Sequence, residues 1–128
     1  MEAVGVSSHR STRRVAWGAL TLALLLAVVL ELVRHGTGYW QAAAFGFGPD
    51  LSLLVGASPG LARGQLHPRA VPLYNAVHLV LGPLVLALAA AFFLPLGFFV
   101  GALAWGLHVS LDRSVGYGLR TPDGFQRP

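Results

Sequence analysis

The chain has no cysteine and no lysine, and its 128 residues include only five carboxylate side chains. Without thiols there are no disulfides and no thiolate metal sites, so any metal site must use His and carboxylate ligands. All nine cationic side chains are arginine. They punctuate apolar runs instead of clustering on one soluble face, which argues against nucleic acid as a partner. Charged residues make up 11% of the chain and hydrophobic residues 55%, whereas a soluble domain carries roughly 25% charged residues. The apolar excess is expected to face lipid. No repeat and no second core are indicated, so the chain reads as one domain.

The first apolar run is Val15–Val33, with Glu31 its one charge. At ~1.5 Å per residue it is long enough to cross a ~30 Å hydrocarbon core. Arg10, Arg13 and Arg14 precede it as they would in a signal peptide, but Glu31-Leu32-Val33-Arg34 stands where a small-residue cleavage site would be. A retained helix is therefore expected. The second run, Tyr39–Ala57, is interrupted by Gly46, Gly48, Pro49 and Asp50, so it reads as a kinked helix or two short pieces. Val71–Leu111 holds 41 residues without a formal charge. As one helix it would be ~60 Å long, so it must fold back, most readily at Leu94-Pro95-Leu96-Gly97.

The expected fold class is thus all-α: a polytopic membrane bundle of four transmembrane helices over residues 15–33, 39–57, 71–93 and 96–112. Four spans place Arg10, Arg13, Arg14, Arg63, Arg69, Arg113, Arg120 and Arg127 on one side and leave only Arg34 on the other. The positive-inside rule makes the Arg-rich side, with both termini, cytoplasmic. Trp17 at one end of the first span, and Tyr39 with Trp40 at the start of the second, suit an aromatic belt or packing roles. The loop Ser58–Ala70 reads as a flexible connector, and His9, His35 and His67 as solvated side chains. Gly97 and Gly101 form a G-x-x-x-G, which suits close packing inside the bundle or a homodimer.

Ionisable groups inside apolar spans are expensive and usually face a partner or a wet cavity. Here they are Asp50, His78, His108 and Asp112. Counting helical rise from the cytoplasmic edge puts Asp50 and His78 ~10 Å deep and His108 ~8 Å deep, on three different helices. Asp112 follows His108 at i+4 and shares its face. Tyr74 and Asn75 line the His78 face, Trp105 lies near His108, and Pro83 should free the carbonyl of Leu79.

Three readings remain open for this polar pocket. It is a clamp of hydrogen bonds and ion pairs, with Asp50 accepting from His78 or His108 and Asp112 meeting Arg113 or Arg69. Alternatively, it is a metal site of Asp50, His78, His108 and Asp112 for Zn²⁺ or another divalent ion, hydrolysing a lipid or amphipathic substrate. In that case Asp112 is a ligand or general base and Arg113 holds an anionic headgroup. The third reading is a proton or small-solute path. Ser114-Val115-Gly116-Tyr117-Gly118 looks like a potassium-channel filter, but a filter lies between a pore helix and a further membrane helix, so a surface turn is expected.

Pro49-Asp50-Leu51-Ser52, Tyr74-Asn75-Ala76-Val77-His78 with Pro83, Trp105-Gly106-Leu107-His108, and the block Asp112 to Arg120 with Pro122, Gly124 and Phe125 resemble the small bacterial membrane proteins of domain-of-unknown-function family 4260. The resemblance covers about Phe45 to Phe125 and is most specific in its last block. It implies a bacterial integral membrane protein with these polar positions as its signature, and names no reaction. The family pattern is expected to continue past Gly124-Phe125 with a polar tail containing a His, where this chain has Gln126-Arg127-Pro128.

Overall fold

The structure, a computed structural model, describes residues 2–127. α1 runs Glu2–His35, so the helix starts well before the expected Val15. No proline interrupts residues 2–14, and the Thr12 hydroxyl folds back onto the Ser8 carbonyl at 3.0 Å instead of breaking the turn. Its 34 residues span ~51 Å, longer than a ~30 Å hydrocarbon core, and the excess carries Arg10, Arg13 and Arg14. Near its end Glu31 and His35 pair at 3.3 Å, one helical turn apart, so His35 is not simply solvated.

The second apolar run forms two pieces, α2 (Tyr39–Phe47) and α3 (Leu51–Val55), joined by a 3-10 turn at Gly48–Asp50. Pro49 suits the start of that turn because a helix's first N–H groups have no internal partner. The third run is also divided, which corrects the expectation of one helix over 71–93. A 3-10 turn at Pro68–Ala70 leads into α4 (Val71–Val77), and α5 (Leu81–Phe92) follows after a 43° bend. Two helix-side carbonyls at the break take side-chain donors: Val77 from Trp105 Nε1 at 2.8 Å and His78 from Arg113 at 2.9 Å. These, and not the Leu79 carbonyl expected from Pro83, are the groups the bundle satisfies.

α6 (Leu96–Val115) is the hub, packed on α1, α2 and α5. Val28 of α1 meets Val100 and Ala104 of α6 in one buried cluster, and Thr21 donates to Ser110 across the same contact at 3.0 Å. A Cβ at Gly97 would lie 2.4 Å from the Gln41 amide, and one at Gly101 2.7 Å from the Phe45 ring. The G-x-x-x-G face therefore packs against α2 of the same chain. Gly116 ends α6 at φ 100°, with its N–H on the Arg113 carbonyl and the Tyr117 N–H on that of Asp112, a Schellman closure.

The loop after α3 is not a free connector. Leu66 is buried with Ala70 and Tyr74, its N–H donates to the Gly124 carbonyl at 2.9 Å, and His67 caps the following turn by accepting from Arg69 N–H. The C-terminal tail closes over this region: Asn75 makes a two-way bond with the Arg120 backbone, at 2.8 and 3.1 Å.

Among the described residues one helix, Gly5–His35, is long and apolar enough to cross a membrane. The bent pair Pro68–Val77 with Leu81–Phe92 makes a second if taken as one broken span. α6 falls short of that composition because His108, Asp112 and Arg113 lie within its 20 residues. Only 11% of the apolar stretch of α1 is buried, which sets it apart from the core helix of a soluble domain.

Candidate metal centre

The breaks that shorten the helices also deliver the polar residues. Asp50 closes the 3-10 turn after α2, His78 stands at the end of α4, and His108 and Asp112 lie one turn apart on α6. One ligand atom from each of the four lies within 4.8 Å of all the others. The two Nε2 atoms of His78 and His108 are 3.3 Å apart. His78 Nε2 lies 3.5 Å from Asp50 Oδ1 and 3.6 Å from Asp112 Oδ2, and His108 Nε2 lies 3.3 and 3.5 Å from the same two oxygens.

Hydrogen-bond donation fixes which ring nitrogen carries the proton. Nδ1 of His78 sits 2.8 Å from the Tyr74 carbonyl and Nδ1 of His108 2.8 Å from the Gly46 carbonyl. A carbonyl oxygen only accepts, so each Nδ1 is the N–H and each neutral ring presents a lone pair at Nε2. Two such lone pairs and two carboxylate oxygens then point at one another. Four acceptors at this spacing repel unless a metal ion lies among them or a proton on one Nε2 is shared with a carboxylate. A tetrahedral ion with ~2.1 Å ligand bonds has ligand–ligand edges of about 3.4 Å, close to the five separations observed. An Nδ1–H held by a backbone carbonyl is also the usual support of a metal-ligating imidazole.

The surroundings hold the rings in place. His78 stacks on Tyr74 at 4.0 Å between centroids, and the Arg120 guanidinium lies over the Tyr74 ring, 4.8 Å from its centroid. Gln126 reaches the Tyr74 hydroxyl at 3.3 Å. Trp105 stacks on Phe45 while its N–H fastens Val77. The side chains of His78, His108 and Asp112 are 1%, 11% and 22% exposed, whereas that of Asp50 is 55% exposed and forms the open side.

Of the residues singled out in the sequence, Asp50, His78, His108 and Asp112 thus share one point in space. Tyr74 and Trp105 support it, and Asn75 instead ties down the tail. No Asp112–arginine ion pair forms among the described residues, contrary to expectation. Arg113 spends its donors on the carbonyls of His78 and Tyr117. Sequence reasoning missed Arg120, Gln126 and the Gly46 carbonyl. Arg120 lay in plain view in the Asp112–Arg120 block, but a tail residue gives no periodic signal, and a backbone acceptor has no letter of its own.

No curated protein and no solved structure matches the chain. The polar positions that meet in the centre all fall inside a single family match, which covers residues 18–128, and on that match the chain belongs to the family described as domain of unknown function DUF4260.

Proposed function

We propose that this chain is a multi-span membrane protein whose Asp50, His78, His108 and Asp112 hold a zinc-class divalent ion, and that the centre hydrolyses a lipid or other amphipathic substrate. The observation that carries this reading is the convergence of two Nε2 lone pairs and two carboxylate oxygens, with both Nδ1 atoms already committed to backbone carbonyls. A proton shared among these groups gives only an ion-paired clamp. A divalent ion satisfies all four donors at the separations present.

The open side favours chemistry over a closed structural site. Three donors are walled in and the Asp50 carboxylate is more than half exposed, so one of the four ligands lies on a side that solvent reaches. A bound dication would supply Lewis acidity and lower the pKa of a nearby water to about 7. Asp50, the exposed ligand, is the one that water or substrate would reach and displace, while Asp112, one turn from His108, is the inner ligand. Exposed Leu81, Leu84, Val85 and Leu88 on α5, together with the unburied apolar stretch of α1, support embedding in lipid. The Arg distribution supports four crossings, with α2–α3 and α4–α5 each a broken span and both termini in the cytoplasm of a bacterial cell.

Elemental analysis of the detergent-purified full chain tests the metal directly. The expected result is about one Zn, Mn or Fe per chain, lost in both His78→Ala and His108→Ala. A metal-free parent that stays so after reloading would leave the ion-paired clamp and remove the hydrolase. Asp50→Asn is expected to weaken ion retention, because a neutral amide replaces one of the two carboxylates, and to lower ester or phosphoester turnover on the order of 100-fold.

A further inference from the structure

A second feature lies beside the first, where the N-terminal half of α1 meets the end of α6. Arg10, Arg13 and Arg14 of α1, Arg113 of α6 and Arg127 of the tail line one cavity of about 490 Å³, with Trp17 at its edge. Its lining contains no carboxylate. Among the described residues the ion pairs involve only histidines, so none of these five guanidiniums has an acidic partner. Arginine stays charged at any physiological pH, and five like charges around one space repel unless an anion joins them.

Two of the five are already aimed. Arg14 Nε donates to the Ser114 carbonyl at 3.0 Å, and Arg113 is held by the His78 carbonyl at 2.9 Å. Each guanidinium has five N–H groups, so both keep donors for a ligand. The planar fork of arginine matches phosphate oxygens two at a time, which lysine does not, and the chain has no lysine at all.

Trp17 also lines a second cavity of about 190 Å³ that runs between α1, α5 and α6. Leu20, Leu24, Leu84, Leu103 and Gly106 are among its walls, and no charged side chain is. A basic cavity that shares an edge with an apolar groove is complementary to one molecule with an anionic head and a hydrocarbon tail. We infer that the five-arginine cavity binds the phosphate headgroup of an anionic phospholipid, with one acyl chain lying past Trp17 in the groove. This rests on the membrane placement proposed above and not on the metal, so a metal-free chain that binds the lipid leaves it standing.

The test uses the full chain in detergent, titrated with short-chain phosphatidylglycerol, short-chain phosphatidylcholine or inorganic phosphate, and read by native mass spectrometry. The expected result is saturable phosphatidylglycerol binding, at least tenfold tighter than phosphatidylcholine. In Arg10→Gln/Arg13→Gln/Arg127→Gln that binding should weaken on the order of 100-fold, with helix content and metal occupancy unchanged. These three side chains are exposed, so the variant keeps the packed core. Phosphatidylglycerol brominated on its acyl chain should quench tryptophan fluorescence in the parent and much less in Trp17→Phe. Equal affinity for the two lipids, or an unaffected triple variant, would overturn the site. Inorganic phosphate binding tightly where the lipid does not would overturn the lipid and assign the cavity to free phosphate.

Discussion

Gly124 shows how much rests on one position. Its φ is 99°, and a Cβ there would lie 1.8 Å from the Leu66 carbonyl oxygen, in a segment whose backbone already bonds Leu66. Gly124→Ala is therefore expected to lower stability by about 2–3 kcal/mol, seen as a lower thermal midpoint in detergent. Gly118→Ala, which meets only the Arg113 side chain at 3.5 Å, serves as the mild control. The two imidazoles make a prediction of their own. A ligating Nε2 must be unprotonated, so protons compete with the ion, and zinc affinity should fall as the pH is lowered from neutral into the acid range. A zinc titration across that range checks this, and a pH-independent affinity would exclude both rings as ligands. Asp50, His78, His108 and Asp112 were legible in the sequence because ionisable groups are so costly in apolar runs that each one must have a purpose. Arg120 was not, since its role depends on a ring 46 residues earlier that only folding brings beneath it.

At the level of the elements, the break between α4 and α5 decides where His78 points. Its exposed carbonyls are fastened to α6 by Trp105 and Arg113, so a change on α6 is felt at His78, at the end of another helix. Trp105→Phe keeps the stack on Phe45 but removes the donor to Val77. The expected cost is about 1–3 kcal/mol for the unsatisfied carbonyl, and zinc affinity by chelator competition should weaken roughly 10-fold or more. An unchanged affinity would mean the break holds without Trp105. Helix positions were readable from the apolar runs, and the interruption at Gly46–Asp50 announced itself through Gly and Pro. The break at His78 did not, because uniform apolarity says nothing about where a helix axis gives way. Pro83 was visible, but the structure places the bend on its N-terminal side and satisfies different carbonyls from the one proline chemistry alone selects.

For the whole molecule, four crossings require the turn before Leu96 to lie outside and the tail near Gln126 to lie inside. Reporter fusions at those two positions should give opposite signals, a cytoplasmic one at Gln126. A periplasmic signal at Gln126 would sink the four-span topology. The all-helical character followed from composition and run length, whereas the central position of α6 depended on Gly97 and Gly101 finding Gln41 and Phe45, a long-range fit that no local pattern encodes. The same centrality sets a timetable for biosynthesis. Two of the four converging side chains, His108 and Asp112, are on α6, the last helix among the described residues. A nascent chain that has reached only α5 displays Asp50 and His78 with nothing to complete them, too few to retain an ion. On the metal and membrane reading proposed above, capture would be the closing event of synthesis, and a half-built, uncompensated site would need shelter until α6 arrives.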